Sequence, residues 1–318
     1  MIFNLKILVT GGCGYKGSVL IPKLLQKGHD VISFDTYWFG NYLPEHKNLN
    51  SIKGDIRDLS SLDLNEIDTI IHLANIANDP AVELNATMSW EVNVLAGQQL
   101  IELARLAKVK HFIFASSGSV YGIKKEDKVT EDLSLVPISN YNKTKMVAER
   151  VFMSYSNDLK VHCIRPATVC GLSPRMRLDV AVNLLTFQAL TRNKITVLGG
   201  CQVRPNIHID DVTDVYLHFI DNFKNVDSGF FNAGFENVSI LNIANLIKSK
   251  INCEVDIKES NDPRSYRQDS SKLLNTGFTP KKNISLAIDE MIYSYNSGEL
   301  FDSPKWHTVN WMKSQNIK

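Results

Sequence analysis

One glycine-rich segment restricts the fold of this chain more than any other feature: Thr10-Gly11-Gly12-Cys13-Gly14-Tyr15-Lys16-Gly17. It follows the apolar run Ile7-Leu8-Val9 and precedes a helical pattern near Tyr15–Gln26. This order of strand, glycine turn and helix start is the geometry that places a diphosphate at a helix N-terminus. The glycines permit a tight turn, a close approach of the backbone to the phosphates, and close packing of helix on strand.

Asp35 supplies a second signal, because it ends the apolar run Val31-Ile32-Ser33-Phe34 about 20 residues beyond the glycines. An acid at this point accepts hydrogen bonds from the adenosine ribose hydroxyls and repels a 2′-phosphate, which favours NAD over NADP. A merely solvated aspartate at a strand end is the alternative. The two signals together predict NAD binding. The candidate contact residues in the loop are Gly11, Gly14, Tyr15, Lys16 and Gly17.

Composition excludes several classes of function. A net charge of +1 over 318 residues gives no electrostatic reason to expect nucleic acid or an anionic membrane as partner. The five cysteines include no C-x-x-C pair, so we expect reduced, mostly buried thiols and no metal site. No cleavable signal or membrane-spanning stretch is evident. A cytoplasmic location is therefore expected.

The first half of the chain alternates strands and helices, which predicts an α/β fold with a Rossmann-type, doubly wound parallel sheet. The predicted strands are Lys6–Thr10, Val31–Asp35, Ser51–Asp55, Thr69–Ala74, His111–Ser116 and Lys160–Arg165. Helical patterns lie near Tyr15–Gln26, Leu59–Leu64, Trp90–Ala107 and Tyr141–Tyr155. Ligands of such sheets bind beyond the C-terminal ends of the strands.

After Pro166 the regular alternation of strand and helix patterns ends, and a Gly/Ser/Pro/Arg-rich loop leads into shorter helical and extended pieces. We therefore expect a smaller, interleaved C-terminal substrate lobe. The predicted division is residues 1–167 for the NAD-binding domain, rejoined by about 206–235, with 168–205 and 236–318 forming the substrate lobe.

Tyr141 and Lys145 are four residues apart in a helical pattern, so their side chains share one face. An ammonium beside a phenol lowers the tyrosine pKa, and the phenolate can then take a proton from an alcohol while a hydride leaves its carbon. An ordinary surface helix fits the same spacing. The segment Ser116–Gly122 ends a strand and would place a hydroxyl in the same cleft, unless its hydroxyls only cap the backbone.

The arrangement as a whole resembles the extended short-chain dehydrogenase/reductase family, in its nucleotide-sugar epimerase/dehydratase branch. The resemblance covers nearly the full chain. The motifs that carry it are Thr10–Gly17, Asp35, Gly54-Asp55, His72-Leu73-Ala74, Ser116–Gly122, Tyr141–Lys145, Arg165-Pro166, Arg204 and His208–Asp211.

The resemblance implies specific roles. Tyr141 is then the base, Lys145 also holds the nicotinamide ribose, and Ser117 is the catalytic hydroxyl, with Ser116 as second choice. Asn93 would hold local backbone behind the nicotinamide site. The remaining implied cofactor contacts are Asp55 and Ile56 at the adenine, Leu73 and Ala74 along the groove, and Pro166 at the nicotinamide end.

The smaller lobe of this family holds a nucleoside diphosphate, and arginine forks suit its phosphates. Arg204 matches the family's diphosphate arginine, although each candidate arginine also fits a surface cation. The other substrate candidates are Arg264, Arg267, Arg175 and Arg177, together with Ser117 and Thr168.

The resemblance implies NAD-dependent oxidation of a sugar hydroxyl, with C4 the expected position, on a nucleotide-linked hexose or heptose. A nucleotide-sugar 4-epimerase and a 4-dehydrogenase fit equally, and a 4-ketosugar reductase or a non-catalytic NAD sensor remain alternatives. Gly118 and Ser119 replace the acidic pair of 4,6-dehydratases, which argues against dehydration. Bacterial capsule or O-antigen synthesis and a homodimer are the implied setting and assembly.

Overall fold

The computed structural model describes residues 4–260 and 265–317. In chain order the strands are β1 Lys6–Thr10, β2 Asp30–Asp35, β3 Leu49–Lys53, β4 Thr69–His72, β5 His111–Ala115, β6 Lys160–Pro166, β7 Thr168–Cys170, β8 Lys194–Leu198, β9 Val203–His208, β10 Gly229–Ala233, β11 Glu236–Ser239 and β12 Glu254–Lys258.

The α-helices are α1 Gly17–Gln26, α2 Asp79–Val82, α3 Ala86–Trp90, α4 Ala96–Leu106, α5 Asn140–Met153, α6 Ala181–Arg192, α7 Ile209–Asp221, α8 Ile240–Lys250, α9 Ser271–Leu274, α10 Ile284–Asn296 and α11 Thr308–Ser314. A π-helical turn, Glu91–Leu95, joins α3 to α4, and 3₁₀ turns span Gly118–Tyr121 and Pro304–Trp306.

Within the described residues, the largest sheet has seven strands in the order β10-β6-β5-β4-β1-β2-β3, and every pair is parallel. The order reverses between β1 and β4, which opens a crevice at their C-terminal ends. The predicted Rossmann-type sheet is therefore confirmed, and β10 extends it by one strand beyond β6.

Side chains that alternate along the strands feed two apolar clusters on opposite faces of this sheet. Ile7 and Val9 of β1 pack with Leu20 and Leu24 of α1. Leu8, between them in the chain, packs on the other face with a cluster that includes residues of α4 and α5. Helices on both faces thus bury the central strands.

Two smaller sheets follow in the second half of the chain. One has the order β11-β9-β7 and the other pairs β12 with β8. Strand β10 lies between β9 and β11 in the sequence but belongs to the large sheet. The chain therefore passes between sheets several times, and the lobe boundaries drawn from the sequence stay a prediction.

The predicted helix near Leu59–Leu64 is wrong, because the structure has turns there. The carboxylate of Asp58 accepts from the Ser60 N–H, and that of Asp63 accepts from the Asn65 N–H. These local side-chain bonds offer the backbone an alternative to the helical ladder.

The cysteines match the expectation for reduced thiols. All five are unpaired, four are buried and Cys201 is exposed. Among the described residues, no helix combines the length and the apolar character needed to cross a membrane.

Two buried histidines should lower the free energy of unfolding in mild acid. Burial lowers the pKa of His72 to about 3 and that of His162 to about 4, from an ordinary value of 6.5. Between these values and pH 6.5 the unfolded chain binds more protons, so stability is present above pH 6.5 and is lost as the pH falls. Each histidine should contribute about 1.4 kcal/mol per pH unit.

Urea unfolding at pH 7.5, 6.5 and 5.5 measures this effect. The variant His72→Phe should flatten the slope, because Phe keeps the aromatic packing on Phe114 and Phe152 without the titrating ring. A free energy of unfolding that stays constant between pH 6.5 and 5.5 would contradict the prediction.

Candidate active site

The glycine loop joins the end of β1 to the start of α1 and lies against the end of β4. Gly11 has φ +71°, and a Cβ atom there would come within 2.6 Å of the Ala74 nitrogen. A Cβ atom on Gly17 would overlap the Gly12 carbonyl. Only glycine at these two positions lets the loop pack between β4 and α1.

The loop leaves hydrogen-bond donors at the start of α1. Among the described residues, no backbone or side-chain atom accepts a hydrogen bond from the backbone N–H groups of Tyr15 and Lys16. Unpaired N–H groups at a helix N-terminus, together with the helix dipole, suit an anion such as a diphosphate. The local geometry therefore fits a dinucleotide, as the sequence predicts.

A crevice opens beside this loop, at the point where the strand order reverses. The predicted cofactor residues that line it are Gly11, Gly14, Asp35, Asp55, Ile56, Leu73 and Ala74. Because these residues come from the ends of four strands and their following loops, a single dinucleotide can touch all of them.

Asp35 organises the adenosine end of this crevice. Its Oδ2 accepts from the Cys13 N–H at 3.0 Å and its Oδ1 accepts from the Tyr37 N–H at 2.8 Å. Burial raises the pKa of Asp35, and these two hydrogen bonds oppose the rise. A carboxylate has about four acceptor sites, so two remain for ribose hydroxyls.

The Tyr15 side chain ties the loop to the segment after β7. Its hydroxyl donates to the Gly171 carbonyl at 2.7 Å and accepts from Asn183 Nδ2 at 3.0 Å. Lys16 Nζ lies 3.4 Å from the Tyr216 hydroxyl, and burial lowers the pKa of Lys16 to about 8. Because both side chains have partners within the protein, only the backbone N–H groups of Tyr15 and Lys16 are left for the expected cofactor contact. That contact stays a prediction.

Helix α5 carries Tyr141 and Lys145, and Ser117 begins the 3₁₀ turn that follows β5. The Ser117 hydroxyl lies close enough to the Tyr141 phenol to lower the pKa of that phenol. Ser117 Oγ also lies 2.7 Å from Ser119 Oγ. The structure thus brings together the phenol and the first-choice hydroxyl, with a second hydroxyl behind them.

The expected effect of Lys145 on Tyr141 is wrong. Burial raises the pKa of Tyr141 to about 12, although Ser117 and Arg177 act in the opposite direction. Lys145 Nζ instead donates to the Ala115 carbonyl at 2.6 Å, at the end of β5. Burial and the nearby Lys16 lower the pKa of Lys145 well below its usual value.

Sequence reasoning missed the ion pair that fixes α5. Glu149 accepts from Arg165 Nε at 2.9 Å and from Arg165 Nη2 at 2.8 Å, with both side chains buried. Arg165 Nη1 also donates to the Tyr121 hydroxyl at 2.7 Å. The sequence did carry one signal for this ion pair. Glu149 lies four residues after Lys145, so its carboxylate is on the helical face that carries Lys145.

Another residue holds the π-helical turn in place. The Asn93 amide accepts from the Ile76 N–H at 2.8 Å and donates to the Ile76 carbonyl at 3.1 Å. It also donates to Thr144 Oγ1 on α5 at 3.2 Å. Asn93 therefore supports local backbone, as the resemblance implies, and connects it to the helix that carries Tyr141.

The substrate candidates do not share one location. Thr168 of β7 faces Asn206 of β9 in the three-stranded sheet, and Arg204 lies on the same strand β9. Arg267 is exposed, while Arg264 lies outside the described residues. Pro166 ends β6 and is buried. The sheet β11-β9-β7 thus brings Thr168 and Arg204 together.

Arg175 and Arg177, on the loop after β7, have different surroundings. Arg177 forms a two-point ion pair with Asp179 and lowers the pKa of Tyr141, so it lies near the phenol. Arg175 is only 2% exposed, and its guanidinium lies 3.9 Å from the centroid of the Phe39 ring. Phe39 lines the cofactor crevice, so Arg175 packs on the wall of that crevice, and its expected substrate contact stays a prediction.

His208 is a buried histidine at the end of strand β9. Its Nδ1 accepts from the Asp210 N–H at 3.1 Å, and its Nε2 lies 3.1 Å from Glu290. These three side chains have the composition of a metal site. The Lys282 ammonium, however, lies 2.7 Å from Asp210 and 2.6 Å from Glu290, so a protein cation already occupies the cluster.

Comparison with known proteins agrees with this geometry. Residues 7–234 match the NAD dependent epimerase/dehydratase family. The chain belongs to this family. A Bacillus subtilis (strain 168) protein named as an uncharacterized UDP-glucose epimerase is 35% identical over 77% of this chain and 81% of its own length. A UDP-glucose 4-epimerase of Lactobacillus helveticus is 28% identical over 87% of this chain and 92% of its own length.

A solved structure adds a cofactor to the comparison. The UDP-glucuronic acid 4-epimerase from Bacillus cereus, in complex with UDP-glucuronic acid and NAD, superposes with a TM-score of 0.81. It is 28% identical and covers 93% of this chain and 100% of its own. The cofactor of the family is NAD, and the loop, crevice and acid of this chain fit it.

The close approach of Gly11 to β4 gives a direct test of the loop. Gly28 also has a positive φ, of +85°, but an added Cβ would meet nothing within 4 Å. Gly11→Ala should therefore lower the free energy of unfolding by about 2 kcal/mol more than Gly28→Ala, since it adds overlap to the same backbone strain.

Urea unfolding measures the difference, and calorimetric titration with NAD should show weaker binding for Gly11→Ala only. Equal losses of stability and equal NAD affinities in the two variants would refute the steric account of the loop.

Proposed function

We propose that the protein is an NAD-dependent nucleotide-sugar 4-epimerase that acts on a UDP-linked sugar through a 4-keto species. The observation that carries the proposal is that Ser117, directly after β5, lies close enough to Tyr141 of α5 to lower the pKa of the phenol. Strand β5 pairs with β4, and Leu73 and Ala74 after β4 line the crevice beside the glycine loop. The names of the relatives support UDP as the nucleotide and C4 as the reacting carbon.

When bound in the crevice that Gly11, Asp35 and Ala74 line, NAD would supply an acceptor, and later a donor, for the C4 hydride on opposite faces of the sugar. Tyr141 takes the proton of the C4 hydroxyl in the first step and gives it back to the oxygen in the second. Ser117 hydrogen-bonds the same oxygen as it changes between alcohol and carbonyl. No proton or electron is gained or lost over the cycle, so the net reaction is inversion at C4.

The raised pKa of Tyr141 bears on both half-reactions. A protonated phenol is the correct form to donate to a carbonyl oxygen, and a phenolate is the correct form to accept from an alcohol. The cation of Arg177 lowers the pKa of Tyr141, against the effect of burial. Arg177 is therefore proposed to help the phenol to release its proton.

The three-stranded sheet is the proposed place for the nucleoside diphosphate. Thr168 and Arg204 lie on adjacent strands of this sheet. The segment that contains Arg267 runs beside the catalytic turn, because Gln268 and Tyr266 flank Gly118 at 3.1–3.2 Å from the position of an added Cβ atom. Arg204, Arg267 and Arg264 are the proposed cations for the phosphates.

Dehydration is not proposed, because elimination at C5–C6 needs an acid and Gly118 and Ser119 occupy the expected positions. The homodimer also stays a proposal. Leu95, Leu103 and Leu106 are 57%, 41% and 61% exposed along one side of the helix that the family resemblance places at the dimer contact. The cytoplasmic location and the role in bacterial surface-glycan synthesis remain part of the proposal.

Product analysis tests the net reaction. The purified protein is incubated with NAD and with UDP-glucose, UDP-galactose or UDP-glucuronic acid in turn, and the sugar is followed by NMR. A C4 epimer without net formation of NADH supports the proposal. Accumulation of a 4-keto sugar with one equivalent of NADH would instead identify a 4-dehydrogenase. A 6-deoxy-4-keto product would contradict the exclusion of dehydratase chemistry.

Replacement of the proton acceptor tests the mechanism. Tyr141→Phe should lower turnover about 100- to 10,000-fold, which is the usual contribution of a general acid–base group. Its NAD affinity should match that of the wild type. Because burial raises the pKa of Tyr141, wild-type turnover should rise with pH as the phenol ionises, and the variant should lose this rise.

The matched control is Tyr293→Phe, since Tyr293 is a tyrosine with 75% exposure on α10. Turnover of the Tyr141→Phe variant within threefold of this control would remove the phenol from the mechanism.

A further inference from the structure

The loop of residues 36–42 forms the outer wall of the cofactor crevice. Thr36, Trp38 and Phe39 line the crevice directly. The loop has no strand or helix of its own, so its position depends on contacts from other parts of the chain. At its start Asp35 accepts from the Tyr37 N–H, and near its end Asn41 Oδ1 accepts from the Leu43 N–H and lies 3.3 Å from Cys13 Sγ.

Two contacts reach the middle of this loop from distant sequence. The indole N–H of Trp311, on the C-terminal helix α11, donates to the Trp38 carbonyl at 2.6 Å. The Arg175 guanidinium covers the Phe39 ring at 3.9 Å from its centroid. Two neighbouring residues of the crevice wall are therefore held by two different segments, one of which begins 273 residues away.

These segments are joined to each other. Arg175 Nη2 donates to Thr308 Oγ1, in the first turn of α11, at 3.2 Å. The Thr308 hydroxyl also lies close enough to Asp179, the ion-pair partner of Arg177, to lower the pKa of that carboxylate. The Leu178 N–H donates to the Trp306 carbonyl at 3.0 Å. Helix α11 and the loop that follows β7 are thus joined, and together they support the crevice wall.

The helix α11 is itself anchored in the apolar core. Met312 is 2% exposed and belongs to the cluster that contains Phe34 and Ile56. Phe34 and Ile56 line the same crevice from below. Because Met312 fixes one face of α11, its neighbour Trp311 can hold Trp38 without moving away with the loop.

We propose that Trp311 and Arg175 are positioning residues that hold the residue 36–42 loop closed over the adenosine half of bound NAD and so set the rate at which NAD leaves. The proposal rests on the NAD dependence of the family and not on the sugar reaction. It assigns a role to the C-terminal helix, which carries no catalytic side chain. It also gives Arg175 a role on the cofactor side of the protein.

The direct test is the dissociation rate of NADH from the full-length protein. Protein loaded with NADH is mixed with a large excess of NAD, and the decay of bound-NADH fluorescence is followed. Trp311→Phe removes the indole N–H and keeps an aromatic ring, while Arg175→Met removes the cation and keeps much of the side-chain length. Lys313→Ala is the matched control, because Lys313 is an exposed residue of the same helix.

Each of the two variants should release NADH about tenfold faster than the wild type, which corresponds to about 1.4 kcal/mol. The melting temperature of the cofactor-free variants should equal that of Lys313→Ala. Dissociation rates within twofold of the control would overturn the proposal. A faster release that is matched by a lower melting temperature of the cofactor-free protein would overturn it as well, since the contacts would then only support the fold.

This readout needs neither a sugar nor turnover. The proposal therefore stands or falls separately from the 4-epimerase reaction, and failure of the epimerase assay would leave the NADH result interpretable.

Discussion

The buried ion pair between Arg165 and Glu149 is the contact on which the catalytic geometry depends. It fixes α5, which carries Tyr141 and Lys145, to β6, whose end leads into β7. Through Tyr121 and Asn232 the same arginine connects the turn of Ser117 to strand β10. Removal of one member of such a pair leaves a buried charge and typically costs about 3–5 kcal/mol. The helix that carries the phenol and the turn that follows Ser117 are thus joined to the same buried arginine.

The cofactor crevice is built in a different way, from backbone and from loops. Glycines let the first turn approach β4, and Asp35 holds both the glycine loop and the following loop through backbone N–H groups. The Tyr15 hydroxyl then links this region to Gly171 after β7. This last contact joins segments far apart in the chain, so the crevice and the loop after β7 are packed together. The contacts of α11 complete this arrangement on the outer side.

The parts of the molecule that local chemistry determines could be predicted from sequence. The glycine loop and Asp35 carry their signal in short-range spacing, and the parallel sheet follows from alternating apolar runs. The predicted helix near Leu59–Leu64 does not form, because the side-chain carboxylates of Asp58 and Asp63 accept hydrogen bonds from nearby backbone N–H groups. The pKa of Tyr141 and the position of Arg175 depend on burial and on partners as distant as Thr308, which no local pattern reveals.

In the proposed reaction, Tyr141, Ser117 and NAD act on one carbon of a bound sugar. A UDP-sugar that carries deuterium at C4 tests this reaction, with NMR of the sugar product as the measurement. The inverted product should keep its deuterium at C4 in ordinary water, because the hydride remains within the site between the two steps. Replacement of that deuterium by hydrogen from the solvent would contradict it.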